Sequence, residues 1–334
     1  MSQIEVHELS KTYKETKRRN GVFGSIVDLF SKNTREKEAI KKISFNIDEG
    51  ECIGYIGPNG AGKSTTIKIL AGILAPTEGS ITVKGIVPWK KRIEHVKRIG
   101  VIFGNRRVLW NELSPRQSFN LLSQMYEIRD NDFLSKKLNT LLTQLNINTI
   151  IDKPARELSL GQRMRCEFVA AFLHSPDIVF LDEPTIGLDF ESREIIHNFI
   201  TSMNKDEKVT IIYTSHDLKE VEKITNRLIV INSGVIIFDG KSDDLRKMYK
   251  YKKNITVKFE DSFNNDSFNE LLSKYNIENQ VINHRDNSIR IKCDLSKYSI
   301  QNIVNDIITQ KNVCDISIND VDIEEVIGQI YENS

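Results

Sequence analysis

Residues 57–65, Gly-Pro-Asn-Gly-Ala-Gly-Lys-Ser-Thr, have the composition of a phosphate-binding loop. They follow the apolar run Cys52 to Ile56, which predicts a strand, and precede Thr66 to Leu74, which predicts a helix. Glycines let the loop backbone curl so that its N–H groups point inward, towards the positive end of the next helix. The residues assigned to this site are Gly57, Pro58, Asn59, Gly60, Ala61, Gly62, Lys63, Ser64 and Thr65.

Two charged or polar groups of this loop and an acidic pair downstream indicate phosphate hydrolysis. Lys63 can reach the terminal phosphates, and the hydroxyl of Ser64 is a hard oxygen ligand for Mg²⁺. Asp182 and Glu183 follow the buried-strand pattern Ile178 to Leu181. Parallel sheets bind ligands at the carboxyl ends of their strands, so we predict that Asp182 contacts the magnesium ion and that Glu183 orients the attacking water.

A third segment, Leu-Ser-Leu-Gly-Gln at residues 158–162, precedes the helical pattern Met164 to Leu173. In one chain considered alone, Ser159 is predicted to cap a helix. Ser159, Gly161 and the helix start behind them also form a donor-rich, positively polarised end that suits an anion.

In the order of these motifs the chain resembles the ATP-binding subunits of ABC transporters, over about residues 3 to 245. The resemblance implies that Ser159, Gly161 and Gln162 belong to a signature motif, which contacts the γ-phosphate held by a second subunit. It implies a P-loop NTPase fold of the α/β class, with a mixed sheet core, an antiparallel β subdomain and a helical subdomain. ATP and Mg²⁺ are the expected cofactors.

Three further residues match functional positions of that family. His216, after the apolar run Val209 to Ile212, matches the histidine that senses the γ-phosphate. Asp189, in Gly-Leu-Asp, matches the loop that couples the two nucleotide sites. Tyr13 matches the aromatic residue that stacks on adenine, although an exposed loop tyrosine is also an ordinary feature of proteins.

Asn105 departs from the family pattern, which places glutamine at this position as a contact of the metal and the attacking water. Asparagine keeps the amide but is one methylene shorter. Either Asn105 fills this role with a shifted loop, or the metal contact is weaker and hydrolysis is slow.

The particular residues in these motifs resemble those of one group of ABC ATPases, the ATPases that serve ABC-2-type permeases. Those pumps are mostly exporters. The motifs concerned are Leu-Ser-Leu-Gly-Gln-Arg-Met at 158–164, His-Ser-Pro at 174–176 and the run that starts at Asp182. The membrane half of such pumps is usually a separate chain, and this sequence has no apolar stretch near the ~20 residues of a bilayer span. We therefore expect a cytoplasmic protein, peripheral on the membrane through an integral permease partner.

The runs Ile4 to Val6, Ile43 to Ile47 and Ser80 to Val83 predict an antiparallel sheet beside the nucleotide core. Residues 105–175 are predicted to form the helical subdomain, and Val209 to Ser215 and Leu228 to Ile231 further core strands. The ATP-binding domain is assigned to residues 1–248.

Residues 14–42 form an insertion relative to compact family members. Apolar residues between 22 and 30 fall on one helical face, and basic residues flank them. A helix here could rest on anionic lipid, dock on the permease or pack on its own domain.

Residues 249–334 predict a small α+β accessory domain. Strand and helix patterns alternate in the order βαββαβα, which suggests a ferredoxin-like fold. Dimer stabilisation, a regulatory ligand site and structural packing are all open as its role, because fold alone does not determine function.

Composition agrees with this organisation. The 334 residues are 39% hydrophobic and carry a formal net charge of +1, which gives no global reason to expect nucleic-acid binding. Four widely separated cysteines show no metal-ligand spacing and are expected to be reduced. The sequence thus predicts a head-to-tail homodimer that binds and hydrolyses ATP and drives a permease. The alternatives are a soluble ABC-type ATPase acting on ribosomes or DNA, and an ATP sensor without a permease.

Overall fold

The computed structural model describes residues 2–16, 34–104, 107–248, 252–260, 270, 272–275, 277, 280–283, 287–309, 312–321 and 328. The chain divides into two compact units, Met1–Gly240 and Lys241–Ser334. The predicted domain boundary, between residues 248 and 249, follows the helix Ser242–Met248, whereas the division into units precedes it.

The first unit alternates strands and helices along most of its length. Its strands are β1 (Ser2–Thr16), β2 (Thr34–Asp48), β3 (Cys52–Ile56), β4 (Glu78–Val83), β5 (Ile99–Phe103), β6 (Ile178–Asp182), β7 (Thr210–Ser215), β8 (Arg227–Asn232) and β9 (Val235–Lys241). Its α-helices are α1 (Lys63–Leu70), α2 (Arg92–Val96), α3 (Pro115–Met125), α4 (Asn131–Gln144), α5 (Leu160–Phe172), α6 (Phe190–Glu207) and α7 (Leu218–Ile224).

The nucleotide-site motifs lie at one edge of a sheet with the strand order β5-β6-β7-β3-β8-β9. In this sheet the four neighbouring pairs β5-β6, β6-β7, β7-β3 and β3-β8 are parallel. Strands β6 and β7 are buried at every residue, as their continuous apolar runs predicted. The carboxyl ends of parallel strands meet at one edge, so the loops after β3, β6 and β7 lie side by side.

A three-stranded antiparallel sheet, with the order β2-β1-β4, confirms the predicted sheet beside the nucleotide core. It shares one hydrophobic cluster with the parallel sheet, in which the rings of Phe45 and Tyr55 lie 6.0 Å apart. Strands β1 and β2 are much longer than predicted, because their outer halves carry charges rather than an apolar alternation. Lys14 Nζ on β1, for example, lies 3.6 Å from Glu36 Oε1 on β2.

The predicted insertion at residues 14–42 therefore begins and ends as β-structure. Strand β1 continues to Thr16, and β2 begins at Thr34. The apolar positions between 22 and 30, on which the predicted amphipathic helix depends, lie outside the described residues.

Helices α3, α4 and α5 lie within residues 105–175, the range predicted to form the helical subdomain. Helix α5 starts at Leu160, earlier than the apolar pattern indicated, because Ser159 and Gln162 form a reciprocal capping box. The predicted cap at Ser159 is confirmed. Ser114 and Gln117 make the same arrangement at the start of α3.

The second unit contains α8 (Ser242–Met248), β10 (Lys252–Phe259), β11 (Gln280–Asn283), β12 (Ser288–Asp294), α9 (Ile300–Ile308) and β13 (Val313–Asp320). Its strands form an antiparallel sheet with the order β11-β12-β10-β13. Ile255, Ile291 and Ile303 belong to its separate hydrophobic core. Only the end of the predicted helix Phe263 to Tyr275 is described, where residues 270 and 272–274 are helical. The predicted helix Ile323 to Tyr331 lies outside the described residues except at residue 328.

Among the helices that the structure describes, none is both long enough and apolar enough to cross a bilayer.

Candidate functional site

The loop between β3 and α1 presents the start of a helix without a side-chain cap. Gly62 precedes the helix with φ of 113°, and a β-carbon there would lie 2.7 Å from the carbonyl oxygen of Ala39. Helices α3, α5, α6 and α7 are each capped by a serine or aspartate side chain, whereas α1 is not. The first N–H groups of α1 can therefore donate to an anion.

Lys63 lies in the curve of this loop with only 5% of its surface exposed. Its Nζ atom donates to the carbonyl oxygens of Gly57, at 2.6 Å, and Pro58, at 3.2 Å. Burial lowers the pKa of the Lys63 ammonium, and the charges of Glu183 and Asp182 partly offset this effect. Nζ lies 3.8 Å from Glu183 Oε1, so the predicted phosphate ligand and the predicted water-orienting acid are neighbours.

Asp182 brings together hydroxyl groups from two other segments of the chain. Its Oδ1 atom accepts hydrogen bonds from Ser64 Oγ, at 3.1 Å, and Thr214 Oγ1, at 2.8 Å. Ser64 and Asp182 thus offer two adjacent hard oxygens, the donor chemistry that Mg²⁺ requires. No group of three His, Cys, Asp or Glu residues in the described ranges could hold a metal by itself. Substrate phosphates and water would have to complete the coordination shell.

Glu183 and His216 meet beside Lys63. Glu183 has a positive φ of 52°, and its N–H donates to Thr214 Oγ1 at 3.1 Å. A positive φ is strained for a residue with a side chain and is common at functional sites. His216 Nδ1 lies 3.8 Å from Glu183 Oε1, and the His216 side chain is 56% exposed. Three residues separated in sequence, Lys63, Glu183 and His216, therefore converge.

Tyr13 lies on strand β1, not in the loop that the sequence suggested. Its OH group is 3.5 Å from Thr65 Oγ1, near the start of α1. Lys11 Nζ lies 5.6 Å from the centre of the Tyr13 ring. The ring is therefore next to the phosphate loop.

The signature residues form a second cluster with the loop of Asp189. Ser159 Oγ accepts from the N–H of Gln162, whose Oε1 atom accepts from the N–H of Ser159. Asp189 caps α6 by accepting from the N–H and the hydroxyl of Ser192. These hydrogen bonds hold the pKa of the Asp189 carboxyl below its usual value. Gly161 packs against Ser192, so the starts of α5 and α6 are in contact.

Asn105 lies outside the described residues, so its predicted reach to the metal stays a prediction. The segment that follows it is fixed by a residue that the sequence reasoning missed. Glu167, buried in α5, accepts hydrogen bonds from the N–H groups of Val108, at 2.9 Å, and Leu109, at 3.3 Å. Burial raises the pKa of Glu167. The motifs gave no signal for Glu167 or Thr214.

Comparison with known proteins agrees with this geometry. A family model described as "ABC transporter" matches residues 40–186. The chain is similar to the ABC transporter ATP-binding protein NatA of Bacillus subtilis, with 31% identity over 65% of the chain and 87% of that protein. It is also similar to the Nod factor export ATP-binding protein I of Rhizobium etli, with 34% identity over 64% of the chain and 67% of that protein.

A solved structure described as the ATP binding subunit of an ABC transporter has the same fold. Its TM-score is 0.61 at 25% identity, and the match covers 74% of the chain and 93% of that structure. Two longer relatives, from Dictyostelium discoideum, are 33% and 32% identical, and the chain spans 26% and 25% of their lengths.

Proposed function

This chain belongs to the ABC transporter family as an ATP-binding subunit with ATPase activity, and from that premise we propose how its residues divide the reaction. The loop from Gly57 to Thr65 binds the phosphates of ATP. The observation that carries this assignment is the convergence of Lys63, Glu183 and His216 beside the uncapped start of α1.

Lys63 binds the terminal phosphates by exchanging its contacts with the loop carbonyls for phosphate oxygens. Glu183 accepts a hydrogen bond from the attacking water and polarises it, and His216 contacts the γ-phosphate. Tyr13 stacks on the adenine ring. Ser64 and Asp182 would hold Mg²⁺, which would supply positive charge beside the phosphates during transfer.

The second copy of this chain contributes the other half of each site. Ser159, Gly161 and Gln162, with the exposed start of α5, face the γ-phosphate bound to the partner's loop, and Asp189 couples the two sites. Two ATP molecules then lie between the protomers, and hydrolysis reopens the dimer. Support comes from the positively polarised start of α5 and from the family.

The partner that this dimer drives is an integral permease of the ABC-2 type, and the direction is export. The name of the Rhizobium etli relative, a Nod factor export protein, supports export as the class of activity. The dimer is peripheral on the cytoplasmic face of the membrane. The second unit is ferredoxin-like, a proposal supported by its antiparallel strand order β11-β12-β10-β13.

The role of Glu183 is tested by Glu183→Gln, which keeps the shape of the side chain but removes the charge that polarises water. We expect kcat for ATP to fall by roughly 10²- to 10⁴-fold while ATP binding is retained. Glu94→Gln, on the exposed face of α2, is the matched control and keeps parental turnover. A Glu183→Gln variant with kcat within about threefold of the parent, a difference under ~1 kcal/mol, would refute the role.

A further inference from the structure

Behind the site, a carboxylate that no motif includes lies between the loops that carry Glu183 and His216. Glu220, on α7, is only 6% exposed. Its Oε1 atom accepts a hydrogen bond from His197 Nε2 on α6, at 2.9 Å. Its Oε2 atom accepts from Ser215 Oγ, at 3.1 Å. Because a carboxylate only accepts, His197 carries its proton on Nε2.

The contacts of Ser215 fix the backbone on both sides of His216. The Ser215 hydroxyl donates to Glu220 and accepts from the N–H of Asp217 at 3.0 Å. Asp217 in turn caps α7 by accepting from the N–H of Glu220 at 3.2 Å. These hydrogen bonds link Ser215, Asp217 and Glu220 to one another, and Glu220 is the buried member to which the loop is attached.

The same carboxylate is bound to helix α6, which begins at the loop of Asp189. Arg193 Nε lies 3.9 Å from Glu220 Oε1, and His197 donates to the same oxygen. Hydrogen bonds to His197 and Thr185 outweigh the cost of burial and lower the pKa of Glu220 to about 2. Glu220 is therefore charged at neutral pH, and its partners are held by charge-assisted hydrogen bonds.

A cavity of about 100 Å³ connects this group to the reacting side. Its lining includes Glu183, Thr185, Arg193, Ser215, His216 and Glu220. Glu183, His216 and Glu220 thus border the same cavity.

We propose that Glu220 is a positioning residue for ATP hydrolysis, which holds His216 within reach of Glu183 by anchoring Ser215 to His197 on α6. This inference rests on the role proposed for His216. Glu220 does not touch the nucleotide, so its loss lowers the rate of hydrolysis and leaves ATP affinity unchanged.

The test is a double-mutant cycle on the full chain, with kcat measured by phosphate release and affinity by titration of a non-hydrolysable ATP analogue. In Glu220→Gln an amide nitrogen replaces one of the two accepting oxygens, and we expect kcat to fall about tenfold with affinity within about twofold of the parent. In a His216→Ala background the same substitution should change kcat less than about twofold, because the two residues act in series. Lys223→Ala, which removes an exposed ion pair on the same helix, is the matched control and keeps parental kcat.

Two further variants keep the test informative if Glu220→Gln does not fold. Ser215→Ala removes the hydroxyl that attaches the loop and should reproduce the loss of kcat. His197→Gln retains an N–H donor and should keep turnover, whereas His197→Ala should lose it. Equal losses from Glu220→Gln in both backgrounds, or parental kcat in Glu220→Gln and Ser215→Ala, would overturn the proposal. Parental kcat in His216→Ala alone would instead refute the role of His216 in the proposed function.

Discussion

At Gly161 the signature motif packs against the start of α6, which Asp189 caps. A β-carbon at this position would lie 2.1 Å from Ser192 Oγ and 2.8 Å from Ser192 Cβ. Ser192 is buried and hydrogen-bonded to Asp189, so it cannot move aside without breaking the cap of α6. Glycine is therefore required here for contact between two helix starts, in addition to any contact with phosphate.

This packing predicts the effect of Gly161→Ala. The added methyl group displaces the start of α5 or that of α6, so we expect kcat for ATP to fall by about tenfold or more, on the order of 1.4 kcal/mol. Affinity of the isolated chain for ATP should stay within about twofold, because its own phosphate loop is intact. Steady-state ATPase assays and a nucleotide titration measure the two effects.

The double variant Gly161→Ala/Ser192→Gly is the control for this explanation. It removes the two nearest of the atoms that the new methyl group meets and should recover most of the lost turnover. Failure to recover, with the fold intact, would show that the glycine is needed for another reason.

At the scale of elements, His174 joins the helical segment to the parallel sheet. Its ring stacks on Tyr126, at the end of α3, with 3.9 Å between ring centres and 3° between planes. His174 Nε2 donates to the carbonyl oxygen of Ile99, the first residue of β5, at 2.9 Å. Burial lowers the pKa of His174 to about 4 from its usual value of 6.5.

A lowered histidine pKa makes stability depend on pH. Between pH 6.5 and pH 4 the unfolded chain binds a proton at His174 that the folded chain does not. The stability that the folded chain gains from a neutral His174 is therefore fully present above pH 6.5 and is lost as pH falls towards 4. We expect His174 to account for about 2 kcal/mol of the decrease in unfolding free energy between pH 7 and pH 5. Urea titrations of the parent and His174→Gln should differ in pH dependence by that amount.

His7→Gln, which replaces an exposed histidine on β1, is the matched control. An unchanged pH dependence in His174→Gln would show that His174 is accessible to protons in the folded chain.

The sequence predicts an element when the pattern of apolar and polar residues within that element is enough to show how it is buried. The runs around Ile178 and Ile211 are apolar on both faces, as strands buried in a parallel sheet must be. The capping box at Ser159 is local as well. Glu167 and Glu220 are different, because an acid in an amphipathic helix ordinarily faces solvent. Their partners come from other segments, as Val108 does for Glu167, and only tertiary packing brings them there.

The same distinction explains which site residues could be predicted. Asp182 ends β6, and Lys63, Glu183 and His216 follow strands of the same sheet, so parallel pairing alone brings them to one edge. The outer half of β1, where Tyr13 lies, has no apolar alternation that would predict a strand. It is a strand because it pairs with the charged outer half of β2. Thr214 lies inside a buried strand, and only the tertiary structure shows that its hydroxyl donates to Asp182.

At the scale of the whole molecule, the proposed dimer separates the two halves of each site between chains. The residues around Lys63 and those around Ser159 form two clusters with their own hydrogen bonds. Suppose that each ATP lies between the loop of one protomer and the α5 N-terminus of the other. A chain with a defective loop and a chain with a defective α5 N-terminus would then form a dimer in which one of the two sites is intact. This property distinguishes a shared site from a site complete within one chain.

The test mixes two variants that are each inactive as homodimers. Lys63→Ala lacks the phosphate ligand, and Ser159→Glu places a negative charge where the partner's γ-phosphate would bind. A heterodimer of the two contains one site in which both defects meet and one site that is intact. Random pairing makes half of the dimers mixed, so ATPase activity should return to about a quarter of the parental value.

Lys63→Ala mixed with Glu183→Gln is the matched control and should stay inactive, because both residues act on the same side of a site. An inactive first mixture, with mixed dimers shown to form, would mean that no nucleotide is shared between chains.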